Sequence, residues 1–380
     1  MAGALFVLKV RQGRITHSFS EVGEGDASRL RALSDKRNSM GFIAPKNIYG
    51  NSLLGFVPPI NKLALGQPST ATLLSSLLVQ PPATHRWFFA RRRFNQFLEN
   101  LKITADQAED GETKHKGVVA SLNQAYWGYR DETANRILIG SWGKTTRVRP
   151  PRDVDILFIL PNELYWQFEK RRGNRQSQLL QDIRSVLRVS NPATDIRGDR
   201  QVVVVPFATC RIEIAPAFVC RDGGYLVCDA AAEGSYKRVE PFAEISALDA
   251  VDQQFNGNVR KLTRILKQWQ RYCDVPIKSF HLEAVVKGIL PLRFYGGSDE
   301  FWFDWLVRDA LGHLISCANG WFFMPGTGEQ IFLGNAWLSK AQTAYQRALR
   351  ACDYERDNCE FLAGDEWQKL FGTMIPATVR

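Results

Sequence analysis

Two acids head an apolar run at Asp153-Val154-Asp155, continuing from Ile156 to Leu160, and no other stretch restricts the fold of this chain so much. The run from Val154 to Leu160 reads as a strand. Residues two apart in a strand point to the same side, so Asp153 and Asp155 share one face while Val154 packs behind them. Two carboxylates held together repel each other, and a divalent cation is their natural counter-ion. Taken alone, the pair is explained equally well as solvent-facing acids at a strand start.

A third acid bears on that choice. The segments Gln201 to Phe207 and Cys210 to Phe218 read as two strands of a hairpin. In the second, Glu213 lies between Ile212 and Ile214, so alternation sends it to the opposite face, together with Arg211 and Ala215. A charge in so apolar a run needs solvent or a partner. If this strand pairs beside Val154 to Leu160, three acids share one site, a set able to hold two Mg²⁺ ions about 4 Å apart. Twelve residues before Asp153, a Gly140-Ser141 pair ends the short strand predicted over Ile137 to Ile139. A glycine followed by a hydroxyl lets backbone N–H groups approach phosphate oxygens closely. The segment is not a Walker A loop, because only Ser141 and Trp142 separate Gly140 from Gly143-Lys144.

Apolar spacing predicts helices over about 112–134 and around Leu179 to Leu187, then from Asn256 onward, with further helices near 281–290, 300–317, 336–351 and 365–371. The fold class is therefore α/β, a mixed sheet with helices followed by a mostly helical C-terminal half. The net charge is +10, but residues 1–93 hold 13 Lys and Arg against 4 Asp and Glu, leaving 36 against 35 for the remainder. With Gly and Pro at short intervals, that basic arm reads as a loosely ordered extension, dispensable for chemistry, ahead of a catalytic core over 94–255 and a helical domain over 256–380. Its end, Arg86 to Arg93, could grip phosphates, though a solvated helix start is the plainer reading. No apolar run reaches the roughly 18 residues of a membrane span, and Lys9 halts the opening apolar stretch. Seven scattered cysteines, with no Cys-x-x-Cys pair, indicate neither a disulfide framework nor a zinc site and fit a reducing cytoplasm.

Gly140-Ser141, Asp153-x-Asp155 at a strand start and Glu213 on a later strand together resemble the polymerase-beta-like nucleotidyltransferase superfamily. More narrowly, RVRPPRDVDILFILP (147–161), RIEIAPAF (211–218), NGNVRKLTRILKQWQ (256–270) and VPIKSFHLE (275–283) resemble the bacterial CD-NTases, SMODS-type relatives of cyclic GMP-AMP synthase and DncV. The resemblance runs from about 95 to 373. It implies Mg²⁺-dependent synthesis (Mn²⁺ could replace it) of a cyclic di- or trinucleotide second messenger from ATP, GTP or both, in anti-phage defence. It also implies a separate effector protein switched on by the product, and regulatory partner proteins in some members. Asp153, Asp155 and Glu213 would be the catalytic metal ligands, Glu213 standing where the family usually has Asp. Gly140 and Ser141 would meet the donor triphosphate, as would Lys267 and Ser279.

Some of these residues carry other readings. Arg264 and Lys267 are three apart on one helix and can reach a common polyanion. Ser279 reads equally as a helix cap, supported by Glu283. His281 reads as a helix residue and Phe301 to Leu306 as packing, while Trp142 and Tyr225 could pack or stack on a base. Two other functions stay open: a non-cyclising transferase acting on RNA, a protein or a small molecule, and a non-catalytic nucleic-acid sensor using the basic arm. The balanced charge beyond residue 93 does not favour the sensor.

Overall fold

This computed structural model describes residues 88–379 together with three short strands, β1 (Lys9–Arg11), β2 (Arg14–Thr16) and β3 (Phe56–Val57). β1 and β2 pair antiparallel within a unit of their own, residues 1–53. The rest of the arm lies outside the described residues, as do its expected looseness and Arg86. A second unit, residues 54–380, contains every other described element.

Helices α1 (Ala90–Leu101) and α2 (Ala105–Trp127) lead into the sheet. α2 begins and ends earlier than apolar spacing predicts. Thr104 and Gln107 form a reciprocal capping box at its start, and Gly128 ends it in the left-handed region at φ +78°. Next come β4 (Arg136–Leu138), a single turn α3 (Gly140–Gly143), β5 (Asp153–Ile159), α4 (Asn162–Glu169) and α5 (Arg175–Ser190). The strands β6 (Arg197–Asp199), β7 (Val202–Pro206), β8 (Arg211–Val219), β9 (Tyr225–Asp229) and β10 (Ser235–Val239) complete the half. The four strands predicted from sequence, now β4, β5, β7 and β8, sit within one residue of expectation at both ends.

The strand order is β10-β9-β8-β5-β4, with β6 and β7 joining through β8. β8 is nine residues long: β7 pairs antiparallel with Arg211 to Ile214 and β9 with Ala217 to Val219, leaving the other edge free for β5. β5 and β8 run parallel, and Asp155 lies opposite Glu213. One sheet face packs Val154, Ile156, Phe158, Ile212 and Ile214 under α2 and α5. Burying such a side chain contributes roughly 1.5–3 kcal/mol each, which fixes the register, since a one-residue slip would turn every one of them outward. The other face carries Leu157, Ala215 and Val227, and by alternation the three acids stand on it.

The helical half comprises α6 (Pro241–Gln254), α7 (Asn258–Tyr272), α8 (Ser279–Ile289), α9 (Phe303–Ser316), α10 (Leu338–Arg356) and α11 (Glu360–Phe371), with a small strand pair, β11 (Trp321–Phe323) and β12 (Gln330–Phe332). The predicted stripe Val259, Leu262, Ile265, Leu266 and Trp269 of α7 is buried in a shared core. Phe303 and Leu306 are buried there too, and Trp302 stacks on Tyr295 at 5.3 Å, so the aromatic run is packing. β3 pairs with β11, so one strand of the basic arm belongs to this half's sheet.

Arg93 departs from expectation. α1 crosses the boundary drawn from charge at residue 93, and the Arg93 guanidinium is fully buried. It bonds Glu355 at 2.6 Å and the carbonyls of Glu360 and Ala377 at 2.8 and 2.7 Å. It is a structural ion that pins α1 to α10 and the C-terminal segment. Arg91 pairs with Asp299 in solvent, and Arg92 lies over the Phe88 ring. Replacing one partner of a buried pair strands the other, so Arg93→Met is expected to cost about 3–5 kcal/mol. Arg91→Ala, which breaks an exposed pair, should cost under about 1 kcal/mol. Urea denaturation of both variants checks the contrast.

Candidate active site

The turn from β4 to β5 allows no side chain at two positions. The Ile139 N–H donates to the Asp155 carbonyl at 3.0 Å, and the chain then turns sharply into α3. Gly140 has φ +55°, and a Cβ there would lie 2.0 Å from Asp155 Oδ2; at Gly143 it would lie 2.2 Å from the Leu138 carbonyl oxygen. The Gly140-Ser141 backbone thus sits directly against the Asp155 carboxylate.

The three acids share one face of two adjacent strands. Burial, then the neighbouring Asp153 charge, pushes the Asp155 carboxyl up to about 6, countered in part by Lys267 and the Ser141 backbone N–H. Glu213 is pushed up to about 7 by burial, then by Asp155 and Asp153. Asp153 is held by Arg211, whose Nη2 lies 2.6 Å from its Oδ1. Among the described residues no three His, Cys, Asp or Glu side chains yet surround one point closely enough to hold an ion. The donor chemistry nonetheless fits a divalent cation: three hard oxygen ligands stand together with too little positive charge to keep them all ionised.

Asp153 and Asp155 form one wall of a cavity of about 480 Å³. The facing wall comes from α7 and α8, with Lys267, Gln270, Arg271, Ser279 and Glu283. Glu213 is not among the residues that line it. Burial, then Arg271, lowers Lys267 to about 8, and its Nζ donates to the Thr146 carbonyl at 2.9 Å. Arg264 instead donates to the Thr145 carbonyl and does not line the cavity; the second α7 cation there is Arg271, one helical turn beyond Lys267, and Lys144, Arg147 and Arg152 line it from the loop before β5. Ser279 is not the helix cap, since Lys278 occupies that position and the Ser279 hydroxyl lies 3.0 Å from Gln270 Oε1.

Glu283 is not a capping partner either. It bonds Lys144, which also reaches Glu244 at 3.0 Å. Sequence reading passes over Lys144, although it directly follows the second obligatory glycine. Its buried ammonium ties the Gly140–Gly143 turn to α6 and α8. Trp142 is buried beneath Arg147 and against His115, and it also lines the cavity. His281 lies within α8, buried beside Phe280 and Phe322. Tyr225 lies in β9 and is not among the cavity-lining residues. All seven cysteines are free.

Residues 90–252 match the model of the Second Messenger Oligonucleotide or Dinucleotide Synthetase (SMODS) domain. A probable cyclic nucleotide synthase of Bacillus cereus is 21% identical over 186 residues, 41% of this chain; the match spans 56% of that relative's length. CdnC of Escherichia coli, solved with HORMA-deltaN and with ATP, superposes with a TM-score of 0.53 at 16% identity, over 75% of this chain and 98% of that one. The Vibrio cholerae cyclic AMP-GMP synthase DncV, solved with the linear intermediate pppA(3′,5′)pG, gives 0.53 at 13% identity, over 80% and 89%. Residues 90–252 thus match a synthetase domain model, and the chain shares its fold with CdnC and DncV. Among the described residues no helix is long and apolar enough to cross a membrane.

Gly140→Ala would force a strained backbone and a collision with Asp155; it is expected to lower stability by about 1–3 kcal/mol and to abolish nucleotide binding, read by thermal denaturation and by titration with a triphosphate. The raised carboxyls also impose a pH dependence. Both bind protons more tightly folded than unfolded, so in the metal-free protein their contribution to stability is complete below about pH 4 and lost as pH rises through 6 to 7. A cation bound by these groups must displace those protons. Calorimetry in buffers of different ionisation enthalpy should show release of roughly one to two protons per site at pH 6 and almost none at pH 8.

Proposed function

We propose that the chain joins nucleoside triphosphates, ATP and GTP foremost, into a cyclic di- or trinucleotide. The observation that carries this reading is the parallel register of β5 and β8. It sets Asp155 against Glu213 on the face opposite the Lys267 and Arg271 wall. Asp153, Asp155 and Glu213 would hold Mg²⁺ or Mn²⁺, which, when bound, acidifies the attacking hydroxyl and neutralises phosphate charge. Lys267 and Arg271 meet the triphosphate across the cavity, the Ser279 hydroxyl donates to it once it leaves Gln270 Oε1, and the Gly140-Ser141 backbone lets it approach without a side chain in the way. A bond forms between a ribose hydroxyl oxygen and the α-phosphorus, the bond to pyrophosphate breaks, and the hydroxyl proton passes to a Glu213 oxygen that the cation leaves free, or to solvent.

Cyclisation needs the linear product to turn and react once more at the same acids. The names of two similar proteins support it: DncV is a cyclic AMP-GMP synthase that has been seen with a linear intermediate, and the Bacillus cereus relative is named for a cyclic nucleotide product. A diffusible product implies a separate effector protein and fits a cytoplasmic role in phage defence. The CdnC complex with HORMA-deltaN makes a regulatory partner protein part of the same reading.

Incubation with ATP, GTP, CTP and UTP, followed by mass analysis, is expected to give a phosphatase-resistant cyclic product. Linear products alone, or label carried on RNA or protein, would point to the non-cyclising transferase. Asp153→Asn with Asp155→Asn should lower turnover by at least about a hundredfold without lowering the melting temperature, because two repelling charges are removed with the ligands. Glu213→Gln should do the same. Asp199→Asn, at the exposed end of β6, should keep its activity. Wild-type rates in the double variant would sink the assignment.

A further inference from the structure

We propose that Arg211 is a latch on the acid cluster: its guanidinium holds Asp153 apart from Asp155 and Glu213 until a divalent cation displaces it. The inference rests on the reading of those acids as cation ligands.

The strand register builds the latch. Arg211 is the β8 partner of Asp153 just as Glu213 is the partner of Asp155, so alternation puts all four side chains on one sheet face. The guanidinium engages Asp153 through one oxygen only, with Nε at 2.7 Å and Nη2 at 2.6 Å from Oδ1. The same Nη2 lies 3.7 Å from Glu213 Oε1, a distant ion pair and not a hydrogen bond. One monovalent counter-ion therefore serves acids on two strands, and it draws Asp153 to itself. No three acids then converge on a point among the described residues.

Arg211 also differs from the structural arginines of this protein. The Arg93 and Glu355 side chains are fully buried, and backbone carbonyls hold Arg93 as well. The Arg211 side chain is 46% exposed, and among the described residues its guanidinium meets only carboxylates. It can swing into solvent at little cost. A divalent ion carries twice the charge, imposes no fork geometry and can take oxygens from all three acids together.

Titration of the full-length chain with Mn²⁺ at pH 7.5, without nucleotide, tests this. Arg211→Gln should bind Mn²⁺ about five- to tenfold more tightly than wild type, the scale of a partly exposed ion pair plus the loss of a nearby positive charge. Its metal-free melting temperature should fall and recover at saturating Mn²⁺. Arg211→Lys, which keeps the charge but not the two-nitrogen grip, should bind more tightly than wild type by a smaller factor. It decides the matter if the glutamine variant does not fold. On an Asp153→Asn background, Arg211→Gln should bring no further gain. Equal or weaker Mn²⁺ binding by the folded variants overturns the latch and leaves the ligand reading standing. Absence of Mn²⁺ binding by every protein at millimolar concentration overturns both.

Discussion

Parallel pairing of β5 with β8 forces like charges together, and much of the surrounding structure answers that repulsion. Hydrophobic packing of Val154, Ile156, Ile212 and Ile214 on the opposite face fixes the register. The register in turn sets Asp155 against Glu213 and Asp153 against Arg211. No local rearrangement relieves the crowding, because moving the acids apart means turning the apolar residues outward. The protein tolerates the cost with partial compensations: raised pKa values on Asp155 and Glu213, a guanidinium on Asp153 and the Lys267 ammonium across the cavity. A site kept short of positive charge in this way is suited to recruit it with the substrate.

The helical half completes the site through one loop. Along α7, Arg260, Arg264, Lys267 and Arg271 donate to the carbonyls of Lys144, Thr145, Thr146 and Val148, following the chain from the glycine turn toward β5. Arg271 adds the Pro150 carbonyl. The four cations recur at helical spacing and meet an extended strip of backbone, so the helix holds the loop as a template would. Lys144 adds the bonds to Glu244 on α6 and Glu283 on α8. The Gly140-Ser141 turn is thereby fixed relative to Lys267 and Ser279, which lie far away in sequence. Positioning of this kind governs phosphoryl-transfer sites, where orientation and charge supply most of the rate.

Legibility in the sequence divides along the range of the interaction. Strand ends and the shared face of Asp153, Asp155 and Glu213 follow from alternation, and the α7 stripe from helical spacing, because both periods are local. The family resemblance points to Lys267 and Ser279, which the structure brings to the cavity wall. Sequence reading fails where a distant partner decides. Arg93 has the look of a surface charge because Glu355 and the carbonyls of Glu360 and Ala377 are remote in the chain. Glu283 suggests a cap although its partner is Lys144, and Arg264 suggests a pair with Lys267 because spacing alone does not reveal the loop between them and the sheet. The start of α2 escapes for a local reason: the capping box at Thr104 lies ahead of a polar first turn that carries little apolar signal.

Net charge misleads in this chain for the same reason. Outside the first 93 residues the cations exceed the acids by one, which taken alone suggests no polyanion ligand. The cavity gathers charge that the sum hides: Asp153, Asp155, Asp274 and Glu283 line it together with Lys144, Arg147, Arg152, Lys267 and Arg271. A ligand that meets these cations and the Asp153–Asp155 pair at once would be anionic and would bring or share a cation at the acids, as a metal-bound nucleoside triphosphate would. The charge that a ligand meets is thus set by where the side chains stand, and the net charge of the chain does not report it.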